Sequence, residues 1–303
     1  MVQTFNPDKV MLSETLGKEV SFDGFTTEFV KGLVQDSKTM QLGEYIEMGN
    51  QKIKEVSVVD GELSDAYFVG EGEKIGVAKV NMKPYTLKTK KLSVILPVTE
   101  EFLNYTWSQY FKEVLPLIKD KFNKVLDGDV FLGKHGNVFG NNVLAAATAA
   151  TNVSSVAVSA DAIYDLETLI DSDPTAFVGH RTANRVLRSA VDAVSKEYIY
   201  DRNASTIDGV PYHELKLAQG VEYPKDNIFV GNFKGIKYGL PQGTQLRLKI
   251  ADQATLSKVQ NAGPDSGDVH LFEQDMQALR AIFEIAVAIP NNEAFAVLTP
   301  PAV

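Results

Sequence analysis

Cysteine is absent from the 303 residues. That excludes disulfides, thiolate metal sites and a cysteine nucleophile, and it fits folding in a reducing compartment. Histidine is scarce as well. Of His135, His180, His213 and His270, the nearest pair is more than 30 residues apart, far from the spacing of a zinc site, so each reads as a surface or strand-end residue. No run of 18 apolar residues occurs, which excludes an ordinary transmembrane helix. The opening MVQTFNPDKVML lacks the basic start and apolar stretch of a secretory signal. Basic charge is short too, with 30 Lys and Arg against 39 Asp and Glu, a net charge of −9. Grip on a nucleic-acid backbone comes from cations that neutralise phosphates, so tight DNA binding is not expected. A wall that merely encloses DNA tolerates an acidic or neutral surface.

Present instead is an ordinary globular composition, 44% hydrophobic and 23% charged, in a chain long enough for one large domain or two or three interleaved ones. The most informative stretch runs from Ala66 to Tyr105. A short aromatic segment leads into a Gly-punctuated acidic turn, then into strands that alternate apolar residues with Lys79, Lys83, Lys88, Lys90 and Lys91. Such alternation predicts half-exposed strands. Cations along a strand edge protect it from aggregation, and a long exposed hairpin suits a subunit that reaches over its neighbour.

Phe25, Phe29, Leu33 and Val34 fall at helical spacing and predict a helix near 25–38, flanked by an extended arm. Turns are expected at Asp60-Gly61 and over Gly70–Gly76. Thr99, followed by Glu100 and Glu101, suits a helix start. From there an apolar stripe through Phe102, Tyr110, Val114, Ile118, Phe122 and Leu126 predicts one long amphipathic helix, kinked near Pro116 and ended by Gly128 and Gly133. Residues 134–160 read as a small-residue loop. A second compact unit follows, with a helix capped by Ser159 or Asp161, a strand at 176–180, a helix over 181–194 and strands around NIFVGNF and GIKYGL. Residues 279–289 are β-rich and predict a strand.

No catalytic constellation emerges. Gly70-Glu-Gly-Glu-Lys-Ile-Gly76 lacks the helix N-terminus of a phosphate loop, and its two Glu residues repel phosphate. G-x-S-x-G is absent. Glu71/Glu73 and Glu100/Glu101 sit in exposed or capping contexts, so solvated charge is the simpler reading. Lys88, Lys90 and Lys91 lack interleaved aromatics. They suit an edge-protecting strip or ion pairs with a neighbouring acidic subunit. No cofactor, metal or catalytic residue is expected.

Several segments, in order and spacing, carry a resemblance: FNPDKVML, AYFVGEGEKI, LSVILPVTEEFLNYTWSQYF, KEYIYDRNASTIDGVP, VGNFKGIKYGLPQ and LFEQDMQALRAIFEIAVAI. Through them the chain resembles, over nearly its whole length, the major capsid proteins of tailed double-stranded-DNA bacteriophages, of the kind found in siphoviruses of Gram-positive hosts. The resemblance implies an α+β fold with an N-terminal arm (1–50), an extended β-hairpin loop (51–92), a peripheral domain with a long spine helix (93–155, completed by 264–303) and an axial domain (156–263). It implies self-assembly into pentamers and hexamers of an icosahedral shell that encloses DNA without reading its sequence. A separate scaffold protein and a portal are expected partners, with assembly in the host cytoplasm and no membrane. An encapsulin-type nanocompartment around an enzyme cargo is the alternative use of the same fold. Subunit-interface candidates are the anchors Phe5, Tyr67, Phe68 and Val69, since aromatics on exposed extensions dominate such contacts, with intramolecular packing beneath the hairpin as the competing reading. The charged candidates are Glu71, Lys74, Lys88, Lys90 and Lys91. Gly61, Gly70, Gly72 and Gly76 are hinge candidates.

Overall fold

A computed structural model describes residues 31–59, 68–72, 74, 80–192, 196–218, 226–241, 246–256 and 269–300. The chain forms two compact units. One holds the chain up to Asp36, Lys91–Phe122 and Gly243–Glu284; the other holds Ser37–Lys90, Asn123–Gln242 and the chain from Ile285.

Residues 31–36 are helical, as expected, but the helix stops at Ser37. Ser37 caps a second short helix, α1 (Lys38–Leu42), and β1 (Glu44–Tyr45) follows. The strands β2 (Ile53–Val59) and β3 (Met82–Thr99) form the long antiparallel ribbon that the alternation predicted. β3 runs straight into α2 (Glu100–Leu132), 33 residues long. The helix runs without a break through Pro116, which is exposed, and one expectation fails: Gly128 lies inside the helix and does not end it. The end falls at Gly133, whose φ of 64° and N–H to the Asp129 carbonyl (2.9 Å) make a left-handed cap. Of the predicted stripe, Ile118, Phe122 and Leu126 are buried.

Residues 134–160 are not simply a loop. Asn142 caps a helix, α3 (Val143–Ala149), by accepting the Ala145 N–H at 2.8 Å, and Val143, Ala146 and Ala147 are buried. Alanines bury too little area each to register as a hydrophobic stripe, which is why the composition misled. β4 (Val153–Ser154) comes next. Ser159 caps α4 (Ala160–Thr168). After β5 (Ala176–Gly179), α5 (Arg181–Leu187) ends seven residues before the predicted 194, because Val191 leaves the helix to bridge Tyr198.

The remaining chain supplies β6 (Tyr200–Asp201), β7 (Thr206–Ile207), β8 (Val210–Glu214), β9 (Ile228–Gly231), β10 (Lys237–Gly239), β11 (Leu246–Ala251), β12 (Thr255–Leu256), β13 (Val269–His270), β14 (Met276–Ala288) and β15 (Phe295–Leu298). β14 realises the predicted 279–289 strand. Asp208 and Gly209, both at positive φ, make the two-residue turn between β7 and β8, the conformation that Asp-Gly favours in tight hairpins.

In the second unit a seven-stranded sheet has the order β4-β15-β9-β5-β8-β7-β6. Its central strands β5, β9 and β15 are buried at every residue, because both faces are covered. Phe177, Ile228, Val230, Ala296 and Leu298 pack with Ile163, Leu166 and Leu187 of α4 and α5. Phe229 and Phe295 alternate to the other face, where Phe131 and Phe233 join them at ring-centroid distances of 5.6–5.8 Å. A further sheet runs β1-β10-β14-β3-β2, with β11 also on β14. In the first unit β11 pairs with Ala278–Phe283, and Phe122 stacks on Phe283.

β3 has one unusual property. Up to Leu87 it is the odd-numbered side chains, Tyr85 and Leu87, that turn inward; from Leu92 it is the even ones, Leu92, Val94, Leu96 and Val98. The alternation slips by one residue across 88–91, where the chain passes from one unit to the other.

Candidate assembly surfaces

The ribbon is organised by backbone phase. The Thr89 N–H donates to the Lys52 carbonyl at 2.9 Å, and Ile53 stands opposite Lys88. The backbone groups of Lys54, Val56 and Val58 therefore face β3, while those of Ile53, Glu55, Ser57 and Val59 point to the outer edge. Pro84 sits opposite Ser57, at a pair without ladder hydrogen bonds, so its missing N–H costs this ladder nothing. On the inner face Val56, Tyr85 and Leu87 pack with Ile46, Met48, Ala286 and Ala288. Burial, then the Glu44 carboxylate, pushes the Tyr85 phenol upward. On the outer face Ile53, Glu55, Ser57 and Val59 lie beside Lys88, Thr86, Pro84 and Met82, all exposed. Three of these are large and apolar: Ile53 is 54% exposed, Val59 52% and Met82 66%.

Of the residues singled out in the sequence, Phe5, Gly61, Tyr67 and Gly76 lie outside the described residues. Phe68 is fully exposed and Val69 partly so. Gly70, Glu71, Gly72 and Lys74 are exposed, with Glu71 and Gly72 in a turn. Gly72 has φ of 83° with open space around it, a conformation that L side chains rarely adopt. Lys88 is exposed and Lys90 half-buried. Lys91 stands 3.8 Å from Glu284 on β14. Glu284 is fully buried and also pairs with Arg247 of β11, so Lys91 already serves a partner in its own subunit.

Sequence reasoning missed two buried carboxylates on α2. Asp127 accepts from Ser37 Oγ (2.7 Å), Thr39 Oγ1 (2.8 Å) and the Thr39 N–H (3.0 Å) at Oδ1, and from the Lys38 N–H (3.0 Å) at Oδ2. It thereby anchors the start of α1 to the long helix. Burial pushes its carboxyl upward, and the four hydrogen bonds oppose that. Asp129 Oδ1 accepts the N–H groups of His135 (3.2 Å) and Asn137 (2.8 Å), while Oδ2 accepts that of Val138 (2.8 Å), pinning the turn after α2. Both look like solvated helix charges in the sequence. The available signal was their position beside the apolar stripe at Phe122, Leu126 and Val130.

A cleft of about 480 Å³ in the first unit is lined by Gln253, Thr255, His270, Phe272 and Glu273, among others. Its histidine Nδ1 lies 3.0 Å from Thr255 Oγ1. Among the described residues no group of His, Asp and Glu is arranged to hold a metal ion, and no helix is long and apolar enough to cross a membrane.

An exposed ribbon with apolar and charged side chains on its outer face is the equipment of a structural protein that works through contact with other chains. The comparisons agree. The chain matches the phage capsid family over residues 23–299. It is 38% identical over 301 residues to the major capsid protein of Staphylococcus phage 80alpha, covering 98% of this chain and 90% of that protein. Among solved structures, a chain of Microbacterium phage Oxtober96 superposes with a TM-score of 0.67 at 21% identity, covering 88% of this chain and 91% of that one. A chain described as the capsid of an empty GTA particle computed with C5 symmetry superposes with a TM-score of 0.64 at 13% identity, covering 88% and 90%. The chain belongs to the phage capsid family. It has the α+β capsid fold that the resemblance implied, and its role is that of a structural shell protein of the virion; the relatives favour this over a nanocompartment.

Proposed function

We propose that the chain assembles, as rings of five and six copies, into an icosahedral head that encloses a double-stranded DNA genome. The observation that carries this reading is the 38% identity, along 98% of the chain, to a protein named as a major capsid protein. The acidic balance of −9 supports enclosure of DNA without tight binding, and the work is structural, not catalytic. In this reading residues 1–50 form an arm and 51–92 a loop laid on neighbours. Residues 93–155 and 264–303 form the peripheral domain, and 156–263 the axial domain. Phe5 anchors the arm, and Tyr67, Phe68 and Val69 anchor the loop. Glu71, Lys74, Lys88, Lys90 and Lys91 supply charged contacts, and Gly61, Gly70, Gly72 and Gly76 act as pivots. Assembly takes place in the host cytoplasm, with a separate scaffold protein and a portal as partners.

Electron microscopy of the chain, expressed alone and with a scaffold protein, tests the reading. Closed particles tens of nanometres across are expected. Monomers under both conditions overturn it.

A further inference from the structure

β2 is an edge strand. Among the described residues it pairs with β3 alone, and the N–H and C=O groups of Ile53, Glu55, Ser57 and Val59 point away from that partner. An exposed strand edge is a template for another strand, and the sequence of β2, Ile-Lys-Glu-Val-Ser-Val-Val, limits what can sit there. Two copies related by a two-fold axis pair antiparallel. The alternation of the ladder leaves only registers centred on a residue that stands opposite its own copy, so that odd-numbered residues meet odd-numbered ones.

Centred on Val56, the pairing uses all seven residues. Ile53 stands opposite Val59 of the second copy, Lys54 opposite Val58 and Glu55 opposite Ser57. No charge meets its like. The outward-facing backbone groups then fall on Ile53–Val59 and Glu55–Ser57, the pairs that must exchange hydrogen bonds, and Val56 meets its copy at a pair without them. Centring on Glu55 sets two carboxylates face to face, a destabilising arrangement. Centring on Ser57 leaves Ile53 beyond the strand. The Val56 register also builds one continuous exposed row, Lys88–Ile53 of one copy with Val59–Met82 of the other. That covers apolar side chains which the single subunit leaves more than half exposed.

We infer that the outer edge of β2 pairs antiparallel with β2 of a second copy, two-fold symmetrically about Val56. The inference rests on the shell reading and adds to it a specific contact. Rings of five or six copies are held by heterologous contacts, whereas this one is isologous and joins a copy in one ring to a copy in the next.

The absence of cysteine gives a clean test. Directly opposed residues at a pair without ladder hydrogen bonds have Cα atoms about 4.5 Å apart, within disulfide range. In purified particles of Val56→Cys, mild oxidation is expected to convert most of the chain to a disulfide-linked dimer on a non-reducing gel. Subunits carrying Glu55→Cys and subunits carrying Ser57→Cys are expected to cross-link when co-assembled, and neither alone. Both of those positions are exposed, so this pair decides the matter if Val56→Cys does not assemble. Particles in which neither arrangement cross-links overturn the inference and leave the shell reading standing. A wild-type chain that forms no particles counts against the shell reading itself. The cross-links, read in whatever oligomer forms, still decide the strand pairing.

Discussion

A carboxylate with no access to water survives only if donors replace its hydration, and Asp127 has four of them within 3.0 Å. Asp127→Ala strands two hydroxyls and two backbone N–H groups at the start of α1. The expected cost is about 3 kcal/mol, in the upper range for buried donors left unpaired, checked by urea unfolding of the unassembled subunit. His213 offers a pH dependence of defined sign. Burial, then the Lys38 charge, lowers its folded pKa from the ordinary 6.5. The unfolded chain therefore takes up this proton first, so the contribution is present above 6.5 and is lost as pH falls below it. A plot of stability between pH 7 and pH 5 is expected to fall less steeply for His213→Gln than for the parent.

At the scale of elements, the end of α2 is set by Gly133. A Cβ at that position would lie 2.7 Å from Asn142 Nδ2, and Asn142 caps α3. Gly133→Ala therefore strains a left-handed backbone and displaces a cap. A loss of about 2 kcal/mol or more is expected, built from the left-handed penalty and the cap, and thermal unfolding followed by circular dichroism measures it. The ribbon, the long helix, β14 and the Ser159 cap were legible because each rests on local periodicity or local capping chemistry. α3 was not, since its burial comes from alanines. Nor was the early end of α5, which depends on a bridge between Val191 and Tyr198 that no local pattern encodes. Asp127 and Asp129 escaped notice for a related reason: their partners at 37–39 and 135–138 become neighbours only in the fold. Among the interface candidates, the sequence could pick out Phe68 as an aromatic on an extension. It could not show that Lys91 would meet Glu284.

For the molecule as a whole, what matters is the surface offered to other copies. Phe68 is fully exposed, so Phe68→Ser is expected to change subunit stability by less than about 0.5 kcal/mol while lowering particle yield several-fold. Sedimentation of assembled against free chain measures the yield. Undiminished yield would remove Phe68 from the anchors.

The slipped alternation of β3 bears on how this chain tolerates changes of length. Most strands accept a substitution more readily than a one-residue insertion, because an insertion turns every later side chain over. In β3 the turnover is already built in between Leu87 and Leu92. Removing Thr89 alone would put Tyr85 and Leu87 in step with Val94, Leu96 and Val98, erasing the change of phase where the chain passes from one unit to the other. Lys88, Lys90 and Lys91 crowd the one stretch where neither face of the strand is consistently apolar. Genetic drift can exchange those lysines for arginines, which keep the pairing of position 91 with Glu284, far more freely than it can alter their number.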